Sequence, residues 1–512
     1  MRDEEFNRLQ LSDDGKTLIR APKVHEGEFV IPASVTTIGY SAFRACDKIT
    51  KVVIPKSVSI IANNSFTHCG LTEIDIPQTV KVIKSAAFAN CKNLKKVTFH
   101  EGLEKIECEA FEDCSITEVV IPKTVTSIHE LAFEGCNISS LVVKEDNPIY
   151  DSRDNCNAII ETKTNTLIAG CNTSTIPLTI EVIGHKAFWT CTELESVCIP
   201  KSVVRIGEEA FGCCPGLKKI IVEEGNPIYD SRDNCNAIIE TATETLIAGC
   251  SQTVIPLSAK TIGKAAFEFC HSLTEISIPD NIGDINALAF FGCHNLKSVR
   301  LPKGLKHLSN LVFSDCFLLE NIMLPDGLES IGNGVFRFCK QLTKVNIPDS
   351  VMSIGKDFTT CSAIKQISIP RNVSQIHPEI IIESSIESIK VSKQNVTYDS
   401  RDNCHAIIET ATNTLIAGCS KTKIPASVKH IGAGAFSHST IKDVVVPDGV
   451  ISIGDEAFYA SELAKITLPS TLGFIGKDVF DHKIKKIIIP IGQKKRFVEM
   501  GLEPYKGIMI EK

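Results

Sequence analysis

Residues Leu273–Asn295 read LTEISIPDNIGDINALAFFGCHN, and this stretch decides the fold. Its pattern, L-x-x-I-x-I-P-x-x-V-x-x-I-G-x-x-A-F-x-x-C, recurs along the chain in steps of mostly 22 or 23 residues. The prolines of the pattern are Pro32, Pro55, Pro77, Pro122, Pro177, Pro200, Pro256, Pro279, Pro302, Pro325, Pro348, Pro370, Pro425, Pro447, Pro469 and Pro490. A fixed period in this range is the signature of a solenoid. We therefore predict a β-rich solenoid, a right-handed superhelix of about sixteen coils.

The parts of the pattern have separate physical roles. Alternation in L-x-x-I-x-I predicts a short strand with one buried face, and the following Pro ends its hydrogen-bond ladder. Phenylalanines at one position of each coil predict a continuous buried spine; they include Phe43, Phe88, Phe111, Phe188, Phe267, Phe436 and Phe458. Glycines after the third Ile of the pattern suit a turn with positive φ; they include Gly39, Gly207, Gly263, Gly332 and Gly454.

Twelve of the 21 cysteines occupy one position of the repeat, three residues after Phe. They are Cys46, Cys69, Cys91, Cys114, Cys136, Cys191, Cys214, Cys270, Cys293, Cys316, Cys339 and Cys361. We expect an inward-facing ladder of buried free thiols. Disulfides between neighbours would need a torsion near 90°, which parallel side chains meet poorly. The spacing matches no metal or redox motif, so we expect no metal site and no cofactor.

A second repeat interrupts the first three times. The string DSRDNCNAIIET begins at Asp151 and again at Asp230, and DSRDNCHAIIET begins at Asp399. Each copy lies in an insert, at about 144–175, 223–254 and 392–423, where two β-favouring runs flank a short polar turn. This arrangement predicts a β-hairpin. Disulfides within the pairs Cys156/Cys171, Cys235/Cys250 and Cys404/Cys419 stay open as an alternative to free thiols.

The polar string itself allows three interpretations. Asp and Asn are typical of tight turns, where their side chains bind backbone N–H groups. Asp151, Asp154 and Asn155 could instead ligate calcium, although their spacing differs from that of an EF-hand loop. A nucleophilic cysteine would need a base, and only the third copy has a histidine, His405, beside Cys404. We favour the turn, and with it a packing module rather than an enzyme.

The chain is divided by these patterns into three parts. Residues 1–30 are predicted to form an N-terminal hairpin cap, residues 31–490 the solenoid with its inserts, and residues 491–512 a C-terminal cap of a short helix and a strand. A solenoid needs such caps to shield its exposed edges.

Composition excludes some classes of function. Lys and Arg number 54 and Asp and Glu 61, so the net charge is −7, which argues against a nucleic-acid partner. No apolar run is long enough to span a membrane. The first residues, MRDEEFNRLQLSDDGKT, show no signal peptide.

The repeat resembles the BspA-type leucine-rich repeats of cell-surface proteins from Bacteroides-like bacteria. The stretch IPASVTTIGYSAFRAC from Ile31 carries the resemblance, which extends over roughly 29–490. It implies a leucine-rich repeat fold and a non-enzymatic, adhesive protein, on the cell surface or secreted, with a host extracellular or cell-surface protein as one candidate partner. The alternative is a cytoplasmic scaffold for protein–protein interaction, which fits the missing signal.

Candidate binding residues are the outward residues of the strands and the tyrosines that precede DSRDNC. They are Glu73, Asp75, Lys95, Lys96, Lys218, Lys219, Arg300, Lys344, Tyr150, Tyr229 and Tyr398. The tyrosines either anchor the hairpins or form a protruding contact surface.

Overall fold

The computed structural model describes residues 8–512 of the chain. The described residues form two compact units, one of residues 8–242 and 248–253, the other of residues 243–247 and 254–512. The first seven residues of the predicted N-terminal cap lie outside the described part.

Most coils of unit 1 add one strand to each of two faces, and the strands within a face run parallel to one another. The first face is formed by Gly27–Val30, Ile49–Val53, Glu73–Ile76, Lys96–Phe99, Glu118–Ile121, Ser140–Val143, Ser196–Ile199 and Lys219–Val222. The second face is formed by Thr17–Arg20, Thr37–Ile38, Ile60–Ile61, Val82–Ile83, Lys105–Ile106, Ser127–Ile128, Thr166–Ala169, Val182–Ile183 and Arg205–Ile206. Equivalent residues of successive coils are in register, as in the pairing of Glu73 with Lys96.

Unit 2 repeats this plan. Its first face is formed by Glu275–Ser277, Ser298–Arg300, Asn321–Ile322, Gln366–Ile369, Ser388–Val391, Asp443–Val445, Lys465–Thr467, Lys486–Ile489 and Met509–Glu511. Its second face is formed by Thr261–Ile262, Asp284–Ile285, His307–Leu308, Ser330–Ile331, Ser353–Ile354, Gln375–Ile376, Thr414–Gly418, His430–Ile431, Ser452–Ile453 and Phe474–Ile475. The solenoid prediction is confirmed.

The inserts contain the predicted hairpins and one strand more. In the first insert Ile159–Glu161 is the central strand of three. It pairs antiparallel with Thr166–Ala169 on one side and with Tyr150–Asp151 on the other. A 3-10 turn, Arg153–Asn155, lies between Tyr150–Asp151 and Ile159–Glu161 in the chain. The third insert has the same elements at Tyr398–Asp399, Arg401–Asn403, Ala406–Glu409 and Thr414–Gly418. The second has Tyr229–Asp230, Arg232–Asn234, Ala237–Glu240 and Thr245–Gly249.

The hairpins also complete coils of their own. Thr166–Ala169 and Thr414–Gly418 each pair in parallel with the next strand of the second face, and so does Thr17–Arg20 of the N-terminal hairpin. Together with the sixteen coils of the proline motif, the four hairpins bring the second faces of residues 8–512 to twenty strands. Our expectation of about sixteen was too low because it counted only coils with the proline motif.

The predicted phenylalanine spine fills the core of both units. Phe66 and Phe88 stack with centroids 4.8 Å apart in unit 1, and Phe267 and Phe290 stack at 5.0 Å in unit 2. The twelve repeat cysteines lie beside this spine, and all but the half-buried Cys361 are buried. All 21 cysteines are free thiols.

The reason given above for the glycines was wrong. Gly207 and Gly454 do not have positive φ. Their role is to let the neighbouring coil approach, because an added Cβ would lie 2.4 Å from the His185 nitrogen at Gly207 and 2.6 Å from the Ala433 nitrogen at Gly454. In most coils positive φ occurs two residues later, for example at Glu209 and Glu456, which are not glycines.

The C-terminal segment contains the expected short helix, Lys494–Phe497, and the expected last strand, Met509–Glu511. A π-helical turn, Val498–Leu502, and a 3-10 segment, Glu503–Ile508, lie between them. The last strand pairs in parallel with Lys486–Ile489, and Phe497 is buried beneath it. Among the helices of residues 8–512, none is long and apolar enough to cross a membrane.

Candidate functional site

The string DSRDNC forms a closed network of polar contacts. In the first copy the Arg153 guanidinium donates two hydrogen bonds to the Asp151 carboxylate, at 2.8 Å from Nε and 2.6 Å from Nη2. Arg153 Nη1 donates to the side-chain oxygen of Asn165 across the hairpin, at 3.0 Å. Thr162 also donates to Asp151, at 2.8 Å. Because the carboxylate already accepts these bonds, it serves the hairpin and not a cation.

The third copy has the same network. Arg401 donates to Asp399 at 2.8 and 2.5 Å and to Asn413 at 2.8 Å. Burial raises the pKa of Asp151 and Asp399, but the hydrogen bonds from the arginines outweigh it and leave both pKa values below the ordinary range. The acidic residues are thus held ionised, in paired contact with arginine.

The serine and tyrosine that flank this network fasten the hairpin to the solenoid. Ser152 Oγ accepts the N–H of Val143 at 2.9 Å and donates to the carbonyl of Ala158 at 2.7 Å. The Tyr150 hydroxyl accepts the N–H of Ile128 at 3.2 Å, and Tyr229 does the same for Ile206 at 3.1 Å. In the third copy the Tyr398 hydroxyl donates to the carbonyl of Ser374 at 3.3 Å.

These contacts correct one part of the candidate binding surface. Tyr150, Tyr229 and Tyr398 are buried, with 5–6 % of their surface exposed. Of the two roles considered, the structure places them as anchors, and they form no protruding surface. An aromatic ring before a tight turn does not by itself reveal which side of the turn will pack.

The hairpin cysteines are buried thiols without the surroundings of a nucleophile. Burial raises the pKa of Cys156 and Cys404 to about 11 and also raises that of Cys235, so the thiol form dominates at neutral pH. The His405 ring contacts the Ser388 hydroxyl at 3.2 Å, whereas the Cys404 thiol is directed at the carbonyl of Ala406. The catalytic interpretation therefore has no geometric support here. Within residues 8–512 no three His, Cys, Asp or Glu side chains are grouped to hold a metal ion.

The outward charges on the first face of unit 1 neutralise one another in part. Lys51 Nζ lies 3.3 Å from Glu28 and 3.7 Å from Glu73, so charges of alternating sign follow each other across the register. Asp75 accepts a hydrogen bond from His100 at 2.6 Å. Exposed pairs of this kind contribute little to stability, and they set the pattern of charge that a partner would meet.

A groove of about 650 Å³ opens among these residues. Three predicted residues line it, namely Glu73, Asp75 and Lys96. The structure adds Lys51, Lys56, Val53 and His100, which the sequence prediction did not include. Lys95 precedes the strand and does not belong to the lining.

The other predicted charges lie apart from this groove. Lys218 pairs with Glu195 at 3.2 Å in unit 1, and Arg300 pairs with Asp280 at 2.9 Å in unit 2. Lys219 in unit 1 and Lys344 in unit 2 are exposed on the first faces of their units. The structure thus brings together three of the eleven candidates.

Comparison with solved structures finds several repeat proteins of low identity. A leucine-rich repeat protein from Bacteroides ovatus is 21 % identical, with a TM-score of 0.34 over 96 % of this chain and 95 % of its own. A leucine-rich cell surface protein from Faecalibacterium prausnitzii is 24 % identical, with a TM-score of 0.37 over 67 % of this chain and 87 % of its own. The pneumococcal vaccine antigen PcpA is 16 % identical, with a TM-score of 0.29 over 98 % and 91 % of the two chains.

No curated protein matches the chain. The family model of the BspA type leucine-rich repeat region matches in six copies, over residues 26–139, 160–238, 248–358, 356–407 and 414–497. These ranges cover most of the chain and include both faces of both units. The chain therefore belongs to the family of BspA type leucine-rich repeat proteins.

Proposed function

We propose that this protein is a non-enzymatic, protein-binding repeat protein of the adhesive kind, and that the groove on the first face of unit 1 is its contact surface. The observation that carries the proposal is this groove, because it joins charges of both signs to exposed apolar side chains. Val53 lies in it with 38 % of its surface exposed, and Val30 of the preceding coil is 61 % exposed.

This composition fits a protein segment better than a charged polymer. A nucleic acid would need a surface of one sign, whereas here Lys51, Glu73 and Lys96 alternate. A protein partner with complementary alternating charges and one or two apolar side chains would meet both features. Membership in the BspA type family supports the same class of function.

The binding experiment compares two adjacent lysines. The full-length chain is measured by biolayer interferometry against a panel of purified extracellular-matrix proteins, as wild type, Lys96→Glu and Lys95→Glu. Lys96 lines the groove and Lys95 does not, although both are exposed. We expect Lys96→Glu to weaken binding about tenfold and Lys95→Glu to change it less than twofold. Equal effects of both substitutions, or no binding to any protein of the panel, would contradict the proposed surface.

The proposed location is the cell surface or the extracellular space. Protease treatment of intact native cells, followed by mass spectrometry of the released peptides, tests it directly. Release of peptides from exposed segments, together with retention of a cytosolic control protein, is the expected result. Detection only after lysis would contradict it.

One observation favours an intracellular scaffold as the second candidate. The thiols of the cysteine ladder donate hydrogen bonds, such as that of Cys316 to the carbonyl of Phe290 at 3.2 Å, and a thiol donor exists only in reduced cysteine. Reduced cysteines are the rule in the cytosol. The protease experiment separates the two candidates.

A further inference from the structure

A second groove lies on the second face of unit 2, and Tyr398 is the one candidate residue in its lining. Its volume is about 900 Å³, and it extends over successive coils from Ala287 to the third hairpin. The residues that line it are Ala287, His307, Leu308, Ser309, Asn310, Ser330, Ile331, Gly332, Asn333, Ser353, Ile354, Gly355, Ser374, Gln375, Ile376, His377, Pro378 and Tyr398.

The lining contains no Asp, Glu, Lys or Arg. The whole chain is 22 % charged, so about four of the eighteen lining residues would be charged by composition alone. The groove of unit 1, in contrast, is lined by Lys51, Lys56, Glu73, Asp75 and Lys96. A ligand of the second groove is therefore selected by hydrogen bonds and shape and not by charge.

Hydrogen-bond donors are left over in this groove. Asn310 uses its side-chain oxygen to accept the N–H of Asn333 at 2.8 Å, and Asn333 in turn accepts the N–H of Lys356 at 3.0 Å. Each amide is thereby oriented, and its NH₂ group has no partner among the described residues. Two fixed NH₂ donors thus stand one coil apart along the groove.

The end of the groove near the third hairpin adds further polar groups. His377 Nδ1 accepts the N–H of Glu379 at 3.1 Å, so the neutral ring carries its proton on Nε2. Gln375 and His377 are exposed, and Ser353 is half-buried one coil earlier. Ser353 and Gln375 form a second row of polar side chains, in register with His307 and Ser330. The first row runs from Asn310 through Asn333 to Lys356.

Successive side chains of each row are one coil apart, about 4.8 Å. This distance is similar to the length of one hexose in an extended chain. Among the apolar lining residues, Leu308, Ile331 and Ile354 are buried with 1–3 % exposure, Ile376 is half-buried, and Pro378 is exposed. Apart from Pro378, the lining therefore offers no exposed large apolar side chain of the kind on which peptide recognition depends. We propose that the second-face groove of unit 2, centred on Asn310, Asn333, Ser353 and Gln375, binds an unbranched, uncharged oligosaccharide.

The test uses the full-length chain and four probes: cellohexaose, maltohexaose, mannohexaose and an uncharged Gly-Ser-Thr peptide. Binding is followed by isothermal titration calorimetry. We expect at least one hexasaccharide to bind saturably, and Ser353→Lys to weaken it at least tenfold. Ser452→Lys is the matched control, because Ser452 has the equivalent position two coils beyond the third hairpin and outside the groove. It should leave binding within twofold of wild type.

A second pair of variants keeps the test conclusive even if Ser353→Lys fails to fold. Gln375→Ala deletes an exposed amide in the groove, and Gln366→Ala deletes an exposed amide on the first face. Only the former should weaken binding. The proposal is overturned if none of the three hexasaccharides binds, if the groove variants bind as well as their controls, or if the peptide binds more tightly than the sugars.

Discussion

At the scale of the residue, a hydrogen bond between neighbouring coils explains why the repeat has cysteine three residues after phenylalanine. The thiol of Cys316 donates to the carbonyl of Phe290 in the preceding coil at 3.2 Å, and Cys293 and Cys339 make the equivalent bond. Serine takes this position at Ser461, where the hydroxyl donates to Phe458 of its own coil at 2.7 Å, and at Ser439, whose buried hydroxyl makes no hydrogen bond within the described residues. The longer C–S bond lets cysteine link two coils.

We therefore expect Cys316→Ser to lower the free energy of unfolding of unit 2 by about 1–2 kcal/mol, since it loses the link between coils and buries a hydroxyl. Urea denaturation followed by circular dichroism measures the change. Cys198→Ser is the control, because Cys198 is exposed on the first face of unit 1, and it should cost less than about 0.5 kcal/mol. Equal losses from both variants would show that the bond between coils is not what selects cysteine.

At the scale of the element, the hairpin depends on one carboxylate. Asp399→Asn removes the charge that pairs with Arg401 and should weaken the third hairpin by about 1–2 kcal/mol. Hydrogen exchange of Ala406–Glu409 and Thr414–Gly418 reports the loss as faster exchange. Asp402→Asn is matched to it, because Asp402 is an exposed aspartate of the same motif at φ 55°, which asparagine adopts readily. Its exchange should stay at the wild-type rate; acceleration in both variants would refute a specific role for the pair.

A row of stacked rings in unit 2 predicts that the stability of its coils depends on pH. His271 stacks on His294 with centroids 4.1 Å apart, His294 stacks on Phe317 at 4.3 Å, and Lys340 lies over Phe317. Burial lowers the pKa of His271 and of His294, and for His294 the neighbouring His271 and Lys340 act in the same direction, against Asp315. Both rings are thus neutral in the folded state at pH 7.

Folding lowers the pKa of both histidines, so the folded state favours their neutral form. The stability that the neutral rings contribute is complete above the pKa of unfolded histidine, near 6.5, and is lost as the pH falls through the pKa values of the folded state. We expect protection factors at Asp284–Ile285 and His307–Leu308 to fall between pH 7.5 and 5.5, and to fall less in His294→Gln. His482→Gln, a change at an exposed ring elsewhere in unit 2, should behave as wild type. An unchanged pH response in His294→Gln would refute the mechanism.

At the scale of the whole molecule, the sequence predicts what repeats and little of what does not. The period, the Phe66 and Phe88 positions of the spine and the hairpins are all visible because each recurs and each has one physical cause. The roles of Gly207 and Tyr150 are not, since a glycine required for close approach and one required for positive φ read alike. The second-face groove of unit 2 escapes prediction as well, because it combines residues from several coils, such as Asn310 and Gln375, whose side chains have no shared pattern.

The same architecture predicts that the chain does not unfold in one step. Coils in a solenoid contact mainly their neighbours, so the loss of one spine residue acts locally. Phe313→Ala removes a fully buried ring that stacks on Phe290 and Phe336, and should cost about 3–5 kcal/mol. Hydrogen exchange with mass spectrometry should show lost protection in unit 2 at Ser330–Ile331, while Val82–Ile83 in unit 1 stays protected. Phe88→Ala should give the reverse, and loss of protection in both units from either variant would mean that the chain unfolds as a single cooperative body.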